Sequence, residues 1–244
     1  MTREAQVKCL VWDLDNTLWK GVLSEGDRLE LNVDAVRTLR ELDARGILHS
    51  IASRNEAGPA LEQLKRFELL DYFLVPQIHW NQKSTSIQSI VSQLNLGTGS
   101  IAFIDDQAFE QEEVRHHLPQ VRVYDAEEAA KLCDLPEFTP PQVTADGANR
   151  RLLYQGELTR KAEEETFAGS PQDFLSTLGL HLKITKAVPD DLPRLEELTR
   201  RTHQLNTTGR TFSEAQLSVL TQSPDHEVWV ASLSDRFGDH GKIG

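Results

Sequence analysis

The chain has 244 residues, 26% of them charged and 39% hydrophobic, with a formal net charge of -12. This is ordinary for a globular protein with room for a main domain and a smaller second unit, and no run of about 18 apolar residues is present to span a membrane. The negative balance argues against a nucleic-acid partner, which needs a basic face, but not against a small anionic substrate held by a local cation.

The opening MTREAQVKCLVWD is too polar for a secretory leader. The two cysteines, Cys9 and Cys133, are too few for a disulfide framework. A cytoplasmic protein with reduced thiols is expected, and both thiols are expected to be buried as small hydrophobes.

Short apolar runs alternate with amphipathic segments as far as about residue 135, the pattern of a parallel α/β sheet wound on both faces. In chain order, Val7–Trp12 reads as a buried strand and Ala35–Leu42 as part of a helix ended near Gly46. Ile47–Ala52 is a second strand, followed by a helix over Glu56–Phe67 that Asn55 could cap. Tyr72–Val75 is expected to be the third strand, Ser84–Leu94 a helix, Ser100–Ile104 the fourth strand and Phe109–His116 a helix. Val121–Tyr124 closes the sheet, with a helix over Glu127–Leu132. Pro136, Pro140 and Pro141 then break the pattern, so the first domain is placed at 1–138 and a linker with a long charged helix at 139–179. Residues 180–244 form the second unit, read as strand, helix, helix, strand at His181–Ala187, Asp190–Gln204, Ser213–Leu220 and Glu227–Leu233.

Four features fall at the ends of successive strands, where open α/β sheets gather their ligands. After the first comes Asp13-Leu14-Asp15-Asn16-Thr17, two acids one residue apart that can bind a hard cation and leave an oxygen free to attack. Alone, the same segment also serves as a turn and a helix cap. Ser53-Arg54-Asn55 follows the second strand, where a hydroxyl and helix N-terminal amides suit a phosphate oxygen, though Ser and Asn are common caps as well. Lys83 follows the third strand, where a lone lysine is more often a solvated charge. Asp105-Asp106 follows the fourth, and adjacent acids behind a buried run repel unless a cation offsets them.

Together these motifs resemble the haloacid dehalogenase superfamily over about residues 6–135. The resemblance implies a Rossmann-like fold without a large cap, Mg2+ as cofactor, Asp13 as nucleophile and Asp15 as general acid and base. It implies Ser53, Arg54, Asn55 and Lys83 as phosphoryl ligands, and Asp13, Asp15, Asp105 and Asp106 as the metal site. The wider motif Val11-Trp12-Asp13-Leu14-Asp15-Asn16-Thr17-Leu18-Trp19, then Gly21-Val22-Leu23, with Phe103-Ile104-Asp105-Asp106, Phe109-Glu110 and Glu112-Glu113-Val114, is similar to the FkbH-like subfamily. So are Arg201–Thr208 and Asp235-Arg236-Phe237-Gly238-Asp239, while Gln111 stands where that pattern has an arginine. This narrower likeness implies removal of phosphate from 1,3-bisphosphoglycerate and loading of the glyceryl unit on an acyl carrier protein in polyketide biosynthesis. A plain phosphatase acting on a small phosphometabolite or a phosphoprotein is the alternative. The tail resembles the opening half of an acetyltransferase-like α+β unit and lacks a Gly-rich pyrophosphate turn.

Superfamily members often carry a cap domain. The gaps Trp19–His49 and Asn55–Gln82 hold too few residues for one. An open cleft is therefore expected, covered if at all by a hairpin near Leu23–Leu31 or by the second unit. Arg150, Arg151, Arg160 and Lys161 on the long helix are the basic residues expected to meet an acidic carrier protein.

Overall fold

The computed structural model describes residues 6–140, 149–201 and 208–244. Two compact units divide the chain, Met1–Pro141 and Gln142–Gly244.

The first unit is built on a five-stranded parallel sheet of order β5-β4-β1-β6-β7. Its strands are β1 (Cys9–Trp12), β4 (Leu48–Ser53), β5 (Gln77–Ile78), β6 (Ile101–Asp105) and β7 (Arg122–Asp125). A small antiparallel pair, β2 (Trp19–Lys20) and β3 (Glu30–Leu31), forms the expected hairpin. The helices are α1 (Val33–Ala44), α2 (Ala57–Arg66), α3 (Lys83–Gln93) and α4 (Ala108–His117), and Ala126–Asp134 forms a 3-10 helix.

β1 is buried on every residue because it lies between β4 and β6 and helices cover both faces of the sheet. Leu10 and Trp12 share one cluster with Leu39 and Leu42 of α1, and the alternate residues Cys9 and Val11 are equally buried. α1 is joined to the 126–134 helix through the buried Thr38 hydroxyl, which donates to the Ala129 carbonyl at 2.8 Å. The Trp12 indole donates to His49 Nδ1 at 3.0 Å, so the one polar atom of a fully buried ring is satisfied. Both cysteines are free and buried, and burial pushes the Cys9 thiol well above its ordinary range.

The chain runs outward from β1 to β4 and β5, then crosses to β6 and β7. The order therefore reverses beside β1, and that reversal opens a crevice at the carboxyl ends of the strands. Residues 19–49 hold only the hairpin, a 3-10 turn and α1, and residues 55–82 hold α2, a 3-10 turn and β5. No separate cap is built from either segment.

The first unit departs from the sequence-based expectation at two places. The third strand is Gln77–Ile78, not Tyr72–Val75: Phe73 makes only an isolated bridge to His49, and Leu70–Tyr72 is a 3-10 turn. Apolar content brought Phe73 and Leu74 into the core without giving them a ladder. Asn55 does not cap α2, whose N-cap is Glu56 with no side-chain bond; the Asn55 amide is used elsewhere.

The second unit contains α5 (Arg150–Thr166), α6 (Pro171–Thr177), β8 (His181–Lys186), α7 (Leu192–Arg201), α8 (Glu214–Gln222), β9 (Trp229–Asp235) and β10 (Gly238–Lys242). Its sheet is antiparallel in the order β10-β9-β8. α5, expected to belong to a linker segment, falls in this unit instead, with Glu163 paired to Arg236 and Arg150 to Glu197 at 2.7 Å. Arg150 is thus engaged internally, its side chain only 15% exposed, although it was expected to face an acidic partner. α6 and β10 were not foreseen: α6 is a short helix with a Ser170–Asp173 capping box, and β10 is the polar Gly-Asp-His-Gly-Lys. The expected reach of α7 to Gln204, and most of the Arg201–Thr208 motif, lie outside the described residues.

Candidate active site

β1 ends at Trp12, and Asp13 follows with its amide bonded to the Ile104 carbonyl of β6 at 3.0 Å. The neighbouring strand β6 ends on Asp105, so the same sheet edge delivers both acids. Ser53 ends β4 on the other side of β1, and α3 opens on Lys83. All four side chains are buried.

Lys83 is the centre of the cluster. Its ammonium donates to Asp13 Oδ1 at 2.5 Å and to the Ala52 carbonyl at 2.8 Å. It also lies 3.0 Å from Asp105 Oδ2 and 3.0 Å from Glu110 Oε2. Burial alone would lower the lysine pKa, but the carboxylates of Asp13, Asp105 and Glu110 raise it above its ordinary range, so the side chain stays cationic.

The acids feel the opposite pressure. Burial raises Asp13 above the usual carboxylate range against the pull of Lys83 and a hydrogen bond from the Ser53 hydroxyl. Burial, and then repulsion from Asp13, lift Asp105 to about 7 and Asp106 to about 6. One lysine does not balance this many carboxylates.

Oxygens of Asp13, Asp105 and Asp106 lie within 4.8 Å of one another. Asp106 Oδ1 is buried with no hydrogen-bond partner, and Asp105 Oδ2 has only the ion pair with Lys83 and no well-aligned hydrogen bond. Unsatisfied buried oxygens of this kind suit a hard divalent cation, which takes carboxylate ligands and supplies the missing charge. The donor set fits such an ion.

The Asp15 side chain lies outside that acidic trio. Its Oδ1 accepts from the Trp19 indole at 2.8 Å and the Leu23 amide at 3.1 Å, and its Oδ2 accepts from Asn55 at 3.0 Å. Asn55 also donates to Ser53 Oγ at 3.3 Å, so it links the two motifs at the ends of β1 and β4. Arg54 stands at the rim: its guanidinium pairs with Glu110 at 2.9 Å, and its Nε donates to the Asn81 carbonyl at 3.3 Å. The structure thus gathers Asp13, Ser53, Lys83, Asp105 and Asp106 around one point and sets Asp15, Asn55 and Arg54 about them.

Glu110 and Glu113 were not among the expected site residues. Both lie on the inner face of α4, where Glu113 accepts from the Ser84 amide at 3.1 Å and from the Ser84 hydroxyl. The spacing of Glu110, Glu113 and Val114 marks one helical face, but charged residues on an amphipathic helix read first as its wet side. Gln111 is buried and donates to the Asp105 carbonyl at 2.8 Å and to Asp125 at 3.0 Å, so it braces the end of β6.

No family model matches the chain, and neither does any curated protein. Solved structures do resemble it. The N-terminal part of a Bacteroides fragilis protein, containing a phosphatase domain and complexed with Mg, is 31% identical over 63% of this chain and 40% of that one, with a TM-score of 0.44. The chain therefore spans about two fifths of that protein's solved part. The 3-deoxy-D-manno-octulosonate 8-phosphate phosphatase of Moraxella catarrhalis, in complex with magnesium, phosphate and KDO, is 21% identical over 45% of this chain and 63% of that one, with a TM-score of 0.36. The cobalt-bound deoxy-D-mannose-octulosonate 8-phosphate phosphatase of Haemophilus influenzae is 13% identical over 70% of this chain and 97% of that one, with a TM-score of 0.39.

Proposed function

We propose that the chain is a magnesium-dependent phosphoryl-transfer enzyme of the haloacid dehalogenase type, with Asp13 as its nucleophile. The observation that carries this reading is the buried Lys83–Asp13 pair at 2.5 Å beside the Asp105 and Asp106 carboxylates. An attacking carboxylate must meet a phosphoryl anion, and a fixed cation touching that carboxylate lowers the repulsion between them.

In the first step an oxygen of Asp13 bonds to phosphorus as the bond to the leaving oxygen breaks, and Asp15 gives a proton to that oxygen. In the second, Asp15 takes a proton from water as the water oxygen bonds to phosphorus. The aspartyl–phosphate bond breaks, phosphate departs and Asp13 is restored. Lys83 and the Ser53 hydroxyl hold phosphoryl oxygens, with Arg54 and the amides near Asn55 at the rim. Mg2+, held by Asp13, Asp105 and Asp106, would neutralise charge developing on the phosphoryl oxygens. Trp19, the Leu23 amide and Asn55 hold the Asp15 carboxylate outside the acidic trio, which leaves the metal to the other three acids, and Asp15 exchanges one of these bonds for a proton when it acts as the acid.

The finer reading takes 1,3-bisphosphoglycerate as substrate and an acyl carrier protein as acceptor of the glyceryl unit. Its support is the likeness of the Asp13, Asp105 and Asp235 segments to FkbH-like proteins, together with inserts too small for a cap. Magnesium-dependent release of phosphate from p-nitrophenyl phosphate, lost in Asp13→Asn, tests the enzyme class; no such release would refute it. Mass measurement of a carrier protein after incubation with enzyme and 1,3-bisphosphoglycerate tests the acceptor. An unchanged carrier mass alongside phosphate release would leave the plain phosphatase.

A further inference from the structure

We propose that Glu110 is a positioning residue, a single carboxylate that fixes both Lys83 and Arg54 at their places around the phosphoryl group. This rests on the phosphoryl-transfer reading above.

Glu110 sits in the first turn of α4 with its side chain only 5% exposed. One oxygen meets Lys83 Nζ at 3.0 Å and the other meets Arg54 Nη1 at 2.9 Å. A buried carboxylate is costly unless well paired, and this one is paired on both oxygens. Charge balance does not call for it. Lys83 already touches Asp13 and Asp105, so a further acid makes the site more negative, against the needs of an anionic substrate.

The use of Glu110 is therefore geometric. Asp13, Asp105, Glu110 and the Ala52 carbonyl all lie within 3.0 Å of the ammonium, so Glu110 is one of the contacts that keep it beside Asp13, where a phosphoryl oxygen would exchange for one of them. Arg54 is a long side chain, 35% exposed, that would otherwise sample many rotamers. Glu110 holds Nη1 while the Asn81 carbonyl holds Nε, which leaves the Nη2 edge to a substrate oxygen. The same face of α4 supplies Glu113, which grips the first turn of α3 at Ser84, next to Lys83. One helix thus fixes both the side chain and the backbone of the lysine's neighbourhood.

The experiment measures kcat, KM and melting temperature of the full chain with Mg2+ and p-nitrophenyl phosphate, for wild type, E110Q, E110D, R54A and E110Q/R54A. E110Q keeps the shape and loses the charge; E110D keeps the charge and loses reach. Both are expected to lower kcat/KM by about ten- to a hundredfold, the range for loss of a charged hydrogen bond. The Lys83 share should fall on kcat and the Arg54 share on KM. R54A should raise KM alone, and E110Q should add little to KM once Arg54 is gone. A merely structural Glu110 would move the melting temperature and leave kcat and KM of the folded protein unchanged, and that result would overturn the inference. So would additive KM effects in the double variant. If E110Q does not fold, E110D decides: wild-type kcat/KM in that variant overturns the shared hold. Failure here with wild-type turnover intact leaves the phosphoryl-transfer reading standing; a wild type that releases no phosphate removes that reading and this inference together.

Discussion

Every residue of β1 in the first unit is buried, whereas every residue of β8 in the second unit is exposed. The first unit has a continuous apolar cluster running from Leu10 and Trp12 through α1 to Phe138. The second has a small one, Leu192, Leu195, Leu217 and Val230, while Leu182, Ile184 and Trp229 remain open. The charged groups differ as well. Asp13, Lys83, Asp105 and Glu110 are buried together, whereas in the second unit the Arg150–Glu197 pair keeps partial exposure and the Lys186–Glu227 and Arg236–Glu163 pairs lie at its surface. Taking several ions out of water costs several kcal/mol each before their mutual attraction is counted. Such a site can persist only where apolar burial is large, and the first unit is where it is large.

The largest effect is expected at the nucleophile. Asp13→Asn is expected to cut turnover by about a thousandfold or more, since the displaced step has no substitute group. Retained binding of inorganic phosphate, measured calorimetrically, would show that the site survives without its reaction. Next comes the core beneath it. Trp12→Ala should lower the unfolding free energy of the first unit by about 3–5 kcal/mol, the usual cost of truncating a buried aromatic ring. A denaturant titration that shows less than about 1 kcal/mol would contradict the burial argument.

The third effect is electrostatic. Asp105 and Asp106 have folded-state pKa values of about 7 and about 6 against an ordinary 3.8. The folded protein without cation therefore binds protons that the unfolded chain releases, so its stability falls as pH rises from about 4 to about 7. A divalent cation replaces those protons. Mg2+ should thus raise the melting temperature more at pH 8 than at pH 5, as thermal melts with and without the ion will show. Equal shifts at the two pH values would mean that the cation does not use these carboxylates. The smallest effect belongs to the second unit: Ile184→Thr, at a position 57% exposed, should change stability by less than about 0.5 kcal/mol.

Much of the sheet and the centre of the site could be read from residues alone, for a shared reason. Cys9–Trp12 and Ile101–Ile104 are apolar at every residue, as suits strands covered on both faces, and the acids that follow them are conspicuous for breaking the run. Gln77–Ile78 is too short to show a period, and Gly238–Lys242 is a polar edge strand with no alternation to find. Glu110 belongs to a motif visible in the sequence, but its burial and its role are not legible there. A buried charge in a helix looks like a solvated one until its partners Lys83 and Arg54, far away in sequence, are seen to meet it. Asn55 shows the same limit: its type suits a helix cap, but the tertiary partner Asp15 claims it.

Cys9 begins β1, the strand that leads directly into Asp13, and it is completely enclosed. Its thiol is held protonated by burial, so a soluble alkylating reagent can reach a reactive sulfur only when that strand leaves the sheet. The rate at which iodoacetamide consumes Cys9 therefore clocks the opening of the nucleophile's own support. Slower labelling when Mg2+ is added would report cation binding without any substrate being turned over.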